Sequence, residues 1–173
     1  MRHMHFLVAT IALAACQGAE TATAPTDPMA GHHMAQASKF KGVAPLPVQE
    51  LGRVRSATAK YHDVQKALDA GYERTDIVIP NMGRHYIKFS DIPNGTIDLE
   101  NPEILVYQEG PGDHLRLVAV EYAVPLNLDE PEGFPGDADV WTPSETFGLW
   151  LLHAWVWKDN PAGMFNMTNP NVP

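Results

Sequence analysis

The chain has 173 residues, 45% of them apolar, with 12 basic against 21 acidic side chains and a formal charge of −9. That balance disfavours nucleic acid and anionic lipid surfaces as partners. Cys16 is the single cysteine, so no internal disulfide is available and stability must come from a packed core.

Residues 1–15 have the three parts of an export signal: a basic start at Arg2, an apolar stretch from Phe6 to Leu13, and small residues before Cys16. Leu13-Ala14-Ala15-Cys16 resembles the lipobox of bacterial lipoproteins, which implies cleavage before Cys16 and acylation of that cysteine. A bilayer core needs roughly 20 apolar residues in a helix. Neither Phe6–Ala15 nor Leu149–Trp157, interrupted by His153, is that long. The expected membrane contact is therefore the lipid anchor alone, and stable anchoring needs more than one acyl chain. In the Gram-negative lipoprotein pattern an Asp after the cysteine tends to retain the protein at the inner membrane. Gln17 fits instead an outer-membrane lipoprotein of the cell envelope that faces the periplasm.

From residue 16 to 47 the composition turns to Ala, Thr, Pro and Gly, too poor in large apolar groups to offset the entropy of ordering. This reads as a flexible tether, and about 30 such residues span roughly 30 Å. Within it, Met29, His32, His33 and Met34 offer thioether and imidazole ligands suited to copper. The simpler reading gives these four residues no role beyond the tether.

Residues 48–173 have the length of one small domain. Ser56 is placed to cap a helix that continues through Ala70, with Gly71 to stop it. Ala57, Tyr61, Val64, Leu68 and Tyr72 then form an apolar stripe, and His62 falls off it onto the surface. Beyond Tyr72 the period changes to two. Strands are expected over Ile77–Pro80, Arg84–Phe89, Ile104–Gln108, Leu115–Val124 and Leu149–Trp157, with a hairpin loop at Gly110–Asp113 and a long polar loop over Asn127–Glu145. The fold class is α+β, a single small domain with one main helix packed on a mostly antiparallel sheet of four to five strands. Leu149–Trp157 is apolar on both faces, so loops or a second subunit must cover the face the helix leaves free.

Three ionisable residues interrupt the apolar strands. Glu121 falls on the face of Leu117, Ala119 and Ala123; His153 falls among Leu149, Leu151, Trp155 and Trp157; His85 shares a face with Ile87 and Phe89. A buried polar group without a partner costs about 1–3 kcal/mol, so these three need partners and can serve one another. Three readings stand. The residues satisfy each other inside the fold, or they bind zinc, iron or copper as two imidazoles and a carboxylate, or Glu121 or His153 moves a proton on a bound small molecule. Small Ala119 and Ala123 beside Glu121 leave a recess, which favours a ligand site. No H-E-x-x-H, Walker loop, G-x-S-x-G, C-x-x-C or dinucleotide glycine pattern occurs. Trp150, Trp155 and Trp157 read as core, the last two on one face, and Met82, Met164 and Met167 as gap-fillers rather than copper ligands.

The blocks Met82-Gly83 with His85-Tyr86, Leu115 through Tyr122, and His153-Ala154-Trp155-Val156-Trp157 followed by Asn160 through Phe165 together resemble a family of exported bacterial proteins of unassigned function. The resemblance implies one compact exported domain over residues 55–172 and brings no catalytic residue with it. Taken together, the sequence leads to the expectation of a periplasm-facing lipoprotein whose domain binds a small ligand or a transition-metal ion through His85, Glu121 and His153. A hydrolase or oxygenase using the same groups, or an envelope interaction protein without a small-molecule site, are the other two expectations.

Overall fold

Residues 45–173 are described by the structure, a computed structural model. The export-signal segment 1–15, the acylation candidate Cys16, Gln17 and the cluster Met29, His32, His33 and Met34 lie outside the described residues.

Helix α1 (Val48–Thr58) starts eight residues before the expected Ser56 cap, and leads through a 3-10 turn (Ala59–His62) into the short helix α2 (Val64–Asp69). Ser56 lies inside α1, where its hydroxyl donates to the Gly52 carbonyl at 3.0 Å. The capping side chain is Asp63, whose carboxylate accepts from the Gln65 N–H at 3.1 Å while its extended backbone interrupts the helix. That interruption resets the helical phase. Leu51, Val54, Thr58, Tyr61 and Ala67 are buried, whereas Leu68, expected on the inner stripe, is 40% exposed. Gly71 closes the unit with φ of 91°, a conformation that other residues adopt only at a cost. His62 is exposed, its ring edge-on to Trp157.

Six strands follow: β1 (Glu73–Ile79), β2 (Gly83–Ile87), β3 (Ile104–Glu109), β4 (Leu115–Pro125), β5 (Thr142–Ser144) and β6 (Leu149–Ala154). They form one sheet in the order β1-β2-β3-β4-β6-β5 with every neighbouring pair antiparallel. The domain is thus the expected α+β type, with one strand more than the upper figure. The extra strand is β5, which lies within the long polar loop and pairs with β6 through Thr142 opposite Leu151. Three residues centred on Pro143 carry no alternating pattern, and proline confines them to an edge.

Two details set the faces of the sheet. Between Val106 opposite Ala119 and Tyr107 opposite Leu117, β4 has one residue more than β3, a bulge at Val118. The bulge turns Leu117 to the helix side, away from Ala119 and Ala123, with which it was expected to align. At the start of β2, Gly83 has φ of 119°, and a Cβ there would come within 2.5 Å of the Tyr107 carbonyl oxygen, so no other residue lets β2 and β3 meet.

The helices cover a face that carries Tyr86, Leu105, Tyr107, Leu117, Val120, Tyr122, Val124, Leu152 and Ala154, all buried in one core cluster. Its phenols reach out of the sheet to backbone carbonyls, Tyr107 to Tyr61 at 2.6 Å and Tyr122 to Leu99 at 2.7 Å. The opposite face carries Ile87, Ile104, Val106, Ala119, Ala123 and Leu151; among the described residues no α-helix packs on it, and the 3-10 turn at Ile92–Asn94 and the C-terminal tail cover part of it. The tail is held where Asn81, at φ of 62°, donates its N–H to the Pro173 carbonyl and accepts from the Asn169 N–H. Val172 packs into this second cluster. Strand β6 ends at Ala154, three residues earlier than expected, because the Val156 N–H folds back onto the Ala154 carbonyl. Trp155 therefore joins the open-face cluster, while Trp157 packs on the helix face and donates Nε1–H to the Thr58 hydroxyl at 3.1 Å. The two tryptophans do not share a face. No helix among the described residues is long and apolar enough to cross a membrane.

Candidate functional site

The register of the sheet lines up Ile87, Ile104, Glu121 and His153 across β2, β3, β4 and β6, with His85 two residues along from Ile87. His85 lies in the row of Val106 and Ala119, and the small Ala119 leaves its imidazole room to lean toward Glu121. The structure so brings the three ionisable residues together. Glu121 Oε2 lies 3.5 Å from His85 Nε2, and Glu121 Oε1 lies 3.3 Å from His153 Nδ1. All three are buried, at 4% exposure for His85, 2% for Glu121 and none for His153.

The two imidazoles stand on either side of the carboxylate, each against a different oxygen. Their ring centroids are 6.3 Å apart, whereas two imidazoles on one tetrahedral ion bring their centres to roughly 5 Å. Among the described residues, no three His, Cys, Asp or Glu side chains converge as a metal-ligand set. The His153 ring stacks on Trp155 with centroids 5.0 Å apart. Its contact with Glu121 is poorly directed for a hydrogen bond, and neither ring nitrogen has a hydrogen-bond partner in the protein. His85 is better satisfied, with Nδ1 3.2 Å from the Ile77 carbonyl oxygen.

Burial acts on the Glu121 carboxyl to raise it, and the adjoining imidazoles, His153 first and then His85, outweigh that effect and hold it below the ordinary carboxylate range. Burial also dominates at His85, pushing its imidazole below the ordinary range against the opposing pull of Glu121. Over this pair opens a cavity of about 530 Å³, walled by Ile77, Ile79 and Met82 from β1 and its turn, by Phe89, Ile92 and Pro93 beyond β2, by Thr142, Ser144 and Phe147 around β5, and by Leu149, Leu151 and Met167. His85 and Glu121 are its two ionisable lining groups among the described residues. His153 lies behind Glu121 and does not line it. Phe89 and Phe147 stand half-exposed at its edge.

Sequence reasoning missed a second buried carboxylate. Glu103 is 2% exposed on the helix side and accepts the Ala123 N–H at 3.2 Å. Burial, reinforced by the charges of Asp91 and Asp98, pushes its carboxyl up to about 7. Its parity with Leu105 and Tyr107 was the available sign. The β5 wall of the cavity left no comparable sign in the sequence. Against known proteins, the chain matches no family model, no curated protein and no solved structure.

Proposed function

We propose that this is a binding domain, exported and held on the periplasmic side of the envelope through acylated Cys16, that takes up one small and largely apolar molecule. The cavity of about 530 Å³ carries the reading, because an apolar hollow of that size ends on two buried, convergent polar groups, Glu121 and His85. Ligand sites commonly enclose roughly 300–1,000 Å³ with apolar walls and a few placed polar groups. The lipobox-like Leu13–Cys16 and the tether-like composition after it support the anchored placement.

The test uses the neutral fluorophore N-phenyl-1-naphthylamine, which brightens in apolar surroundings. Saturable binding of one fluorophore per chain is expected, and it should vanish when Leu151→Trp or Ile104→Trp fills the hollow. Fluorescence that rises without saturating, or that ignores both substitutions, would overturn the proposal.

The unpartnered nitrogens of His153 favour a second reading, in which zinc, iron or copper draws His85, Glu121 and His153 inward by a shift of the two rings. Elemental analysis by mass spectrometry of protein exported to a periplasm and purified without chelators decides it. About one ion per chain, lost in His85→Ala with His153→Ala, establishes the metal; folded protein that stays empty after added ions removes it.

A further inference from the structure

The floor of the pocket has an imbalance of donors and acceptors that restricts what can sit there. A carbonyl oxygen only accepts, so His85 Nδ1, 3.2 Å from the Ile77 carbonyl, is the nitrogen that carries the proton. If Nε2 were protonated too, a charge-assisted bond to Glu121 of about 2.7–2.9 Å would follow. The observed separation of 3.5 Å is too long for one. Nε2 is then a bare lone pair facing the Glu121 Oε2, itself an acceptor, and both side chains are at most 5% exposed. Two acceptors confront each other at the floor of an apolar hollow with no protein donor between them, an arrangement that favours a ligand able to donate to both.

Chemistry narrows that donor. An alcohol brings one hydrogen and satisfies one acceptor, and a carboxylate or phosphate meets Glu121 as a like charge. A protonated primary amine brings three hydrogens and the opposite charge, enough to serve Oε2 and Nε2 together. Resting on the reading of the pocket as a small-molecule site, we infer that its ligand is a primary amine with an apolar body: the ammonium pairs with Glu121 and donates to His85, and the body lies against Ile104, Leu151 and Phe147. Glu121 is the counter-ion and His85 the orienting acceptor, and the specificity of the site is for charge and N–H count rather than for a particular carbon skeleton.

Displacement of N-phenyl-1-naphthylamine from the wild-type protein by ligands of one shape tests this. Benzylamine should displace it at a concentration at least on the order of tenfold lower than benzyl alcohol, with benzyltrimethylammonium, charged but without N–H, in between. Equal potency of amine and alcohol, in protein that binds the fluorophore, overturns the amine inference and leaves the pocket reading intact; failure to bind the fluorophore at all sinks the pocket reading first. Equal potency of the two cations overturns the part assigned to His85. Loss of the amine preference on adding a chelator overturns the direct pairing, because the amine would then be ligating a metal. In Glu121→Gln the fluorophore should still bind and the amine preference should disappear; the wild-type series decides the inference even where that variant does not fold.

Discussion

Two glutamates on opposite faces of this sheet are buried to the same 2% exposure and are held in opposite protonation regimes. Glu103, beneath the helices, accepts the Ala123 N–H and forms no ion pair among the described residues, and its carboxyl is pushed up to about 7 by burial. Glu121, on the face that α1 and α2 leave uncovered, stands between two imidazoles and is held down. Burial alone therefore does not decide the charge of a carboxyl; what is packed beside it does. The same contrast extends to the faces themselves. The helix face sends the Tyr107 and Tyr122 phenols to backbone carbonyls, whereas the open face keeps its polar groups near a cavity that the tail covers only in part.

Substitution of one leucine on each face is the strongest way to break that comparison. Leu105→Ala, fully buried under the helices, should lower the unfolding free energy by roughly 3 kcal/mol, and Leu151→Ala, already beside open space, by only about 1 kcal/mol. Urea denaturation measures both, and equal losses would mean that the open face is as tightly packed as the closed one.

A pH series separates the two glutamates. The Glu103 carboxyl is raised in the folded protein, so folding favours its protonated form; that contribution is full below about pH 4.5 and is lost as pH rises to about 7. Between pH 4.5 and 7, wild type should therefore lose up to about 3 kcal/mol relative to Glu103→Gln. Glu121 has the opposite sign. Its lowered carboxyl contributes stability above the ordinary carboxylate range, lost as pH falls through the folded value. His85, also lowered, contributes when neutral, and that contribution fades as pH falls below the ordinary imidazole range. Parallel pH curves for wild type and Glu103→Gln would remove the contrast between the two carboxyls.

The smallest effect on stability is expected at the pocket edge. Phe147→Ser should change the unfolding free energy by no more than about 0.5 kcal/mol, since the side chain is half-exposed. It should nevertheless weaken N-phenyl-1-naphthylamine several-fold by fluorescence titration. A stability loss as large as that of Leu151→Ala would show that Phe147 belongs to the core instead.

Period-two alternation marked five of the six strands, and Gly71 and Gly110–Asp113 marked a helix end and a hairpin, because each depends on residues close in sequence. The helix start was misplaced because Ser56 is a good cap in isolation, and only packing shows that the chain is already helical from Val48. Leu117 was assigned to the wrong face because a bulge depends on the partner strand, and β4 alone gives no sign of it. Strand β5 and the pocket wall it provides had no periodicity to show.

What the sequence determined by itself was the α+β class and the presence of ionisable residues on inner strand faces, since alternation is a property of the strand alone. Whether His85, Glu121 and His153 met depended on strand order: β4 had to lie between β3 and β6 for Glu121 to face His153, and β2 beside β3 for His85 to lean across. The cavity above them is likewise a tertiary fact. It exists because β5, the Phe147 turn and the C-terminal tail, remote from β1 and β2 in the chain, close around a sheet face that the helices leave bare.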